Sequence, residues 1–311
     1  MSGSETRFEI VHGDALDWLR DRAANSVHAV VTDPPYGLVE YSSTELAKVR
    51  NGGGGIWRLP HSYNGHNRKP LPRFTVLSDE ALRQIDAYFN GFAMALKRVL
   101  VPGAHVFVAS NPLVAHLVTS GFTRAGFDMR GVVVRLVQTL KGGDRPKNAH
   151  LEFASVSVLP RSVWEPWLLF RRPIEGRVQD NLRKWGTGGL RRLEDGRPFK
   201  DLIPSSPASR AERLIADHPS LKPQHFLRQI VRASLPLGRG VVLDPFAGSG
   251  STLAAAQAVG YQSIGVEKDT AYYELAVRAV PLLAKVEPKK PVVSLGLREA
   301  KEAVGRRGKS R

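Results

Sequence analysis

The chain contains no cysteine among its 311 residues. Disulfides, thiolate metal sites and cysteine nucleophiles are thereby excluded. Acids are also scarce. Asp and Glu number 29 against 45 Lys and Arg, a formal net charge of +16. A balance that basic points to a polyanionic partner, nucleic acid before others; the plainer alternative is a generally basic soluble protein. No apolar run approaches the ~20 residues needed to span a bilayer, and Thr6 to Ile10 hold too few apolar residues for a signal peptide. A soluble, cytoplasmic protein is expected. No internal repeat is seen. The hydrophobic share, 42%, is ordinary for a globular chain, and the length suits one large α/β domain or two smaller ones.

The stretch Val30-Val31-Thr32-Asp33-Pro34-Pro35-Tyr36-Gly37 organises the rest. The valines read as the end of a buried strand. The prolines stop the ladder and hold the next backbone extended, which makes a stiff strand-end loop. Such a loop can grip the exocyclic amino group of a flat base: Asp33 and the Pro34 carbonyl each accept one amino hydrogen, and Tyr36 stacks on the ring. Two acceptors localise the nitrogen lone pair, which is otherwise delocalised into the ring. Asp-Pro-Pro also occurs in plain strand-end turns, so this stretch needs a second signal.

Along the chain, Phe8 to Val11 and His28 to Thr32 read as strands, with a short helix around Leu16 to Arg20 between them. Leu38 to Phe74 is irregular, with basic and aromatic residues that include Arg68 and Lys69; it reads as a lid contacting nucleic acid or as a loose insertion. Ser78 to Leu100 is a capped, amphipathic helix. A strand at His105 to Ala109, a helix near Val114 to Ser120 and a strand at Gly131 to Thr139 follow. This alternation predicts a doubly wound, mostly parallel α/β sheet. Residues 1–140 and 218–284 are expected to form its catalytic domain. Lys141 to Asp217 is read as an insertion that faces nucleic acid through Arg183, Lys184, Arg191 and Arg192, with strands at Phe153 to Leu159 and Trp164 to Phe170. A helix is expected from Gln224 to Ser234. Residues 285–311 are read as a basic, flexible tail.

The second signal is Val241-Val242-Leu243-Asp244-Pro245-Phe246-Ala247-Gly248-Ser249-Gly250-Ser251-Thr252: a buried strand, a glycine loop and a helix start. It is neither a Walker loop nor a standard dinucleotide fingerprint. Asp244 at a strand end suits a cationic amino group. Glu267, beside Lys268, ends the next strand, where an acid takes both ribose hydroxyls. A nucleoside carrying an amino acid satisfies both, and S-adenosyl-L-methionine is such a molecule.

Taken together, Asp33-Pro34-Pro35-Tyr36 early, Asp244 to Gly250 late, and a His218-Pro219…Lys222-Pro223 segment just before the latter resemble the β-group of DNA amino-methyltransferases, over about Phe8 to Val280. The resemblance implies a Rossmann-like methyltransferase fold with a target-recognition region between the two motifs. It implies methyl transfer from S-adenosyl-L-methionine to adenine N6 or cytosine N4 of double-stranded DNA. Asp33, Pro34, Pro35 and Tyr36 then form the catalytic motif. Asp244, Phe246, Ala247, Gly248, Ser249, Gly250, Ser251 and Thr252 line the cofactor loop, with Asp33 also beside the cofactor. Glu267 and Lys268 take the ribose side, Asp14 and Ala15 the adenine, and His218 and Lys222 the methionine end. Asp14 as a helix cap and His218 as a structural residue are the plainer alternatives. Neither a metal nor a covalent intermediate is needed.

In the resembling group an Asp at position 33 is commoner in adenine enzymes and Ser in cytosine-N4 enzymes, so adenine is slightly favoured. An RNA methyltransferase, or a DNA-binding protein with a vestigial core, are the alternatives. A homodimer and a companion restriction endonuclease occur among such enzymes; the sequence decides neither.

Overall fold

The structure is a computed structural model. It describes residues 8–35, 77–137, 146, 149, 151–158, 160, 162–218 and 220–288, and the backbone of 62–63 and 66–67. Tyr36, Arg68, Lys69, most of the 38–74 stretch and the tail from 289 lie outside the described residues.

Strands β1 (Phe8–His12), β2 (Val27–Thr32), β5 (Leu100–Ala109), β6 (Asp128–Leu136), β7 (Trp164–Arg171), β8 (Leu202–Pro204), β9 (Val241–Asp244) and β10 (Gln262–Glu267) form one eight-stranded sheet in the order β1-β10-β9-β2-β5-β7-β6-β8. Only β7 runs against its neighbours; the other pairings are parallel. A separate antiparallel pair, β3 (Ser62–Tyr63) and β4 (His66–Asn67), lies in the stretch read as irregular.

The central strands are buried on both faces, and their side chains alternate between two cores, as period-two geometry requires. Val30, Val106 and Val108 point into one core, and Val31, Phe107 and Ala109 into the other. The first core is closed by α1 (Ala15–Asp21), α2 (Asp79–Val99) and α3 (Ala115–Arg124). Helix α2 forms because Ser78 caps it, Asp79 and Glu80 oppose its positive end, and Ile85, Phe89, Phe92, Leu96 and Val99 recur on one face. Burying Phe89 and Phe92 fully contributes about 2–3 kcal/mol each. The second core is closed by α6 (Gln224–Ser234) and the inner face of α7 (Ser251–Ala258). Helix α8 (Thr270–Lys285) packs on α7 and β1.

Three features depart from the sequence reading. The segment Trp164–Arg171 is a central strand of the main sheet, hydrogen-bonded between β5 and β6. The 141–217 stretch therefore contributes to the main sheet and is not a separate insertion. Phe153 to Val158 forms turns and bends, not a strand. Two short helices in that stretch, α4 (Val178–Trp185) and α5 (Arg210–Ile215), were not foreseen.

Candidate active site

Strand order reverses between β9 and β2. The connection from β9 through α7 leads outward to β10, while that from β2 through α2 leads the other way to β5. Open α/β sheets bind ligands in the crevice at such a switch point, beyond the carboxyl ends of the strands. The two acids picked from the sequence stand there side by side. Asp244 is the last residue of β9, and Asp33 follows the last residue of β2. Thr32, between them, donates from Oγ1 to Asp244 Oδ1 at 2.7 Å.

Asp244 is 4% exposed. Burial pushes its carboxyl up to about 6, against hydrogen bonds from Thr252, Thr32 and the Phe246 N–H; the nearby Asp33 charge adds to the rise. Desolvation disfavours the anion, and an arriving cation would restore it. Phe246 turns its ring onto Phe92 of α2, with centroids 5.2 Å apart, and Ala247 donates its N–H to Val266 O at 2.9 Å. These contacts pin the loop between the sheet and the first core.

The glycines have a structural explanation. Gly248 and Gly250 hold φ of +52° and +77°. A Cβ on Gly248 would lie 3.1 Å from the His218 ring, and one on Gly250 would collide with Val280 Cγ2 of α8. The loop is glycine-rich because a ring and a helix press on it, besides whatever ligand it faces. Ser249 Oγ lies 3.4 Å from Ser251 Oγ, and Gln224 Nε2 donates to the Ser251 carbonyl at the start of α7.

Glu267, ending β10, accepts from Gly248 N at 2.7 Å on one oxygen and from Asp269 N at 2.8 Å on the other. Each oxygen keeps a lone pair, and the carboxylate cannot turn. A fixed bidentate acceptor suits a vicinal diol. Asp14 caps α1 through Leu16 N at 2.9 Å, and its second oxygen meets Lys268 Nζ at 3.1 Å. That ammonium holds the Asp14 carboxyl below its ordinary range. Ala15 is buried as the first residue of α1. His218 accepts from Ser220 N on Nδ1 and sets its ring edge-on to Tyr272.

Lys222 lies between two carboxylates. Its ammonium bonds Asp33 Oδ2, and Glu165 Oε1 lies 3.9 Å away on its other side. Glu165 is the second residue of β7, whose antiparallel course brings it to the same pole as Asp33. The sequence reading passed over it, because nothing local marks a lone acid between Trp164 and Pro166. Pro34 is buried and Pro35 exposed, as a rigid strand-end turn requires.

Arg183, Lys184, Arg191 and Arg192 are not brought to this pole. Helix α4 follows the carboxyl end of β7, which lies at the amino ends of the parallel strands. Arg183 and Lys184 border a cavity of about 290 Å³ with His28 and Gly240, at the starts of β2 and β9. Arg183 pairs with Asp180 and Lys184 with Glu175. Arg191 donates to Tyr261 Oη, and Arg192 to the Gly196 carbonyl. Strand β2, six residues long, separates the poles by roughly 20 Å. The four residues given to nucleic acid in the sequence reading thus stand at the pole opposite Asp33.

A sheet of this order, with two acids at its switch point and a third fixed at the next strand end, defines a methyltransferase-type α/β fold. The chain belongs to the N6/N4 DNA methylase family, whose pattern matches residues 27–278. It is an S-adenosyl-L-methionine-dependent DNA amino-methyltransferase. The type II methyltransferase M.HindIII of Haemophilus influenzae is 24% identical over 294 residues, covering 86% of this chain and 93% of that protein. TTHA0409 of Thermus thermophilus, solved with S-adenosyl-L-methionine, superposes with a TM-score of 0.53 at 20% identity, over 92% of this chain and 100% of that one. The cytosine-N4-specific PvuII DNA methyltransferase gives 0.55 at 13% identity, over 98% and 95%. No helix among the described residues is long and apolar enough to cross a membrane.

Proposed function

We propose that the enzyme methylates adenine N6 in duplex DNA, with Asp33, Pro34, Pro35 and Tyr36 as its catalytic motif. The observation that carries this is the placement of Asp33 beside Asp244 at the switch point, with one carboxylate oxygen on Lys222 and no hydrogen bond to Oδ1 among the described residues. Asp33 Oδ1 and the Pro34 carbonyl accept the two amino hydrogens of a base flipped from the duplex. Flipping costs a few kcal/mol of stacking and pairing, and Tyr36 stacks on the extruded ring. The two acceptors localise the nitrogen lone pair, and positioning supplies much of the rate. Asp33 or water takes the proton released.

S-adenosyl-L-methionine, when bound, supplies an electrophilic sulfonium methyl. The residues fit it: Asp244 is a buried acid that gains from a cationic amino group, and Glu267 is an oriented acceptor for the ribose hydroxyls. Gly248, Ser249, Gly250, Ser251 and Thr252 would wrap the methionine side, and Asp14, Ala15 and Lys268 would border the adenine. An Asp at position 33 favours adenine; M.HindIII-like type II relatives support a restriction endonuclease of the same specificity as partner, in the cytoplasm.

The test is Asp33→Ala, assayed for methyl transfer to unmethylated plasmid and for S-adenosyl-L-methionine binding by calorimetry. Transfer should be lost and binding kept. Transfer near the wild-type rate would remove Asp33 from the mechanism.

A further inference from the structure

Four charged side chains alternate in sign through the floor of the site: Asp33, Lys222, Glu165 and Arg135. Arg135 Nη1 lies 3.1 Å from Glu165 Oε2, and Glu165 Oε1 accepts from the Trp167 indole N–H at 2.8 Å. Arg135 is itself fixed, donating to Ser205 Oγ at 3.0 Å and the Ser206 carbonyl at 3.1 Å. Side-chain exposure is 28% at Asp33, 14% at Lys222, 22% at Glu165 and 6% at Arg135. The four residues come from the β2 end, the turn before α6, β7 and β6, so the row ties together four separate segments.

The charges sum to zero, which is what makes such burial tolerable. Burial works against the Glu165 anion, but Lys222, Arg135 and the Trp167 N–H together hold its carboxyl below the ordinary range. Burial likewise works against the Lys222 cation, and Asp33 and Glu165 together keep it above. Lys222 therefore stays a cation with two anionic partners. Without Glu165, its long flexible stem would be tethered by Asp33 alone.

We infer that Glu165 is a positioning residue for methyl transfer: anchored by Arg135 and Trp167, it holds the Lys222 ammonium against Asp33 Oδ2 and so presents Oδ1 to the target amino group. This rests on the reading of Asp33 as the amino-group acceptor. A carboxylate free to rotate would offer the amino group either oxygen at varying angles, and misplacement of about 1 Å at a reacting group costs on the order of 100-fold in rate. This role also gives a reason for a part-buried Arg–Glu pair in β6 and β7 that the transfer chemistry does not otherwise use.

The experiment compares single-turnover transfer of labelled methyl to unmethylated plasmid by wild type, Glu165→Gln, Lys222→Met, the double variant and Asp33→Ala. Cofactor and DNA affinities and thermal midpoints are measured for each. Glu165→Gln should lower the transfer rate about 10- to 100-fold with cofactor and DNA affinities within about twofold of wild type. The double variant should be no slower than Lys222→Met alone, since Glu165 acts through Lys222. Wild-type transfer by folded Glu165→Gln overturns the inference, and so does a double variant whose losses multiply. If Glu165→Gln does not fold, Glu165→Asp draws the charge back by one methylene. A slowed transfer at unchanged cofactor affinity then supports the role, and an unchanged rate overturns it. Transfer retained by Asp33→Ala would instead sink the underlying reading of Asp33, and the inference with it.

Discussion

Replacing Gly250 by Ala separates two explanations of the glycine loop. The residue caps α7 in the left-handed region at φ +77°, where a Cβ costs roughly 1–2 kcal/mol. The added methyl would also meet Val280 Cγ2 and lie 3.3 Å from Ala276 Cβ, both on α8. Val280 is fully buried and β-branched, so its methyl cannot swing aside without displacing the core around Leu253 and Leu283. Forcing a methyl into such packing costs about 1–3 kcal/mol. The two penalties add to about 2–5 kcal/mol, a large part of the roughly 5–15 kcal/mol that holds a typical domain folded. Gly13 is the control. It lies on the same side of the site, its φ is not left-handed, and nothing lies within 4 Å of its would-be Cβ. Gly13→Ala should stay within about 0.5 kcal/mol of wild type. Urea denaturation of both variants without cofactor gives the answer. A Gly250→Ala protein as stable as wild type, yet unable to bind S-adenosyl-L-methionine, would show that the glycine serves the ligand and not α8.

Asp244 carries a pH signature. Its folded carboxyl titrates near 6 against an ordinary 3.8, so between those values the folded state binds the extra proton; stability should fall by about 3 kcal/mol as pH rises from 4 to 6 and stay lost above. Asp244→Asn should remove that fall in a urea series, and parallel curves for the two proteins would count against it. Since the anion is the form that takes a cationic amino group, cofactor affinity should rise through pH 6 in wild type and stay flat in Asp244→Asn. Arg183→Ala with Lys184→Ala, at the far pole, should leave DNA affinity and its salt dependence unchanged. A salt slope reduced by about 2 would place both on phosphates after all.

The parts of the fold that were legible share a cause: their signals are local. Helix α6 runs from Gln224 to Ser234 as read, because Pro223 opens it and its apolar face has helical spacing. Helix α2 is marked by Ser78 and a five-residue apolar face. Strand β7 was read as a strand but given the wrong place. Its apolar run looks the same in an inserted hairpin or in a central sheet, and only pairing with β5 and β6 distinguishes them. Helices α4 and α5 are short and polar, in a stretch dominated by Gly and Arg, and were missed. In the candidate site, Asp33 and Asp244 stand out in the sequence because each ends an apolar run. Glu165 does not, since its meaning depends on Lys222, which follows 57 residues later and meets it only through the antiparallel course of β7. Charge alone does not say which end of a sheet the arginine cluster occupies; Arg183 and Lys184 stand at the pole away from Asp33.

The most direct measurement incubates purified protein with S-adenosyl-L-methionine and unmethylated plasmid, digests the DNA to nucleosides and weighs them by mass spectrometry. N6-methyladenine is the expected product, formed by wild type and absent with Asp33→Ala. N4-methylcytosine would keep the amino-methyltransferase and move the choice of base from Asp33 to the shape of the pocket. No methylated amino group at all, from protein that binds the cofactor, would contradict the central claim.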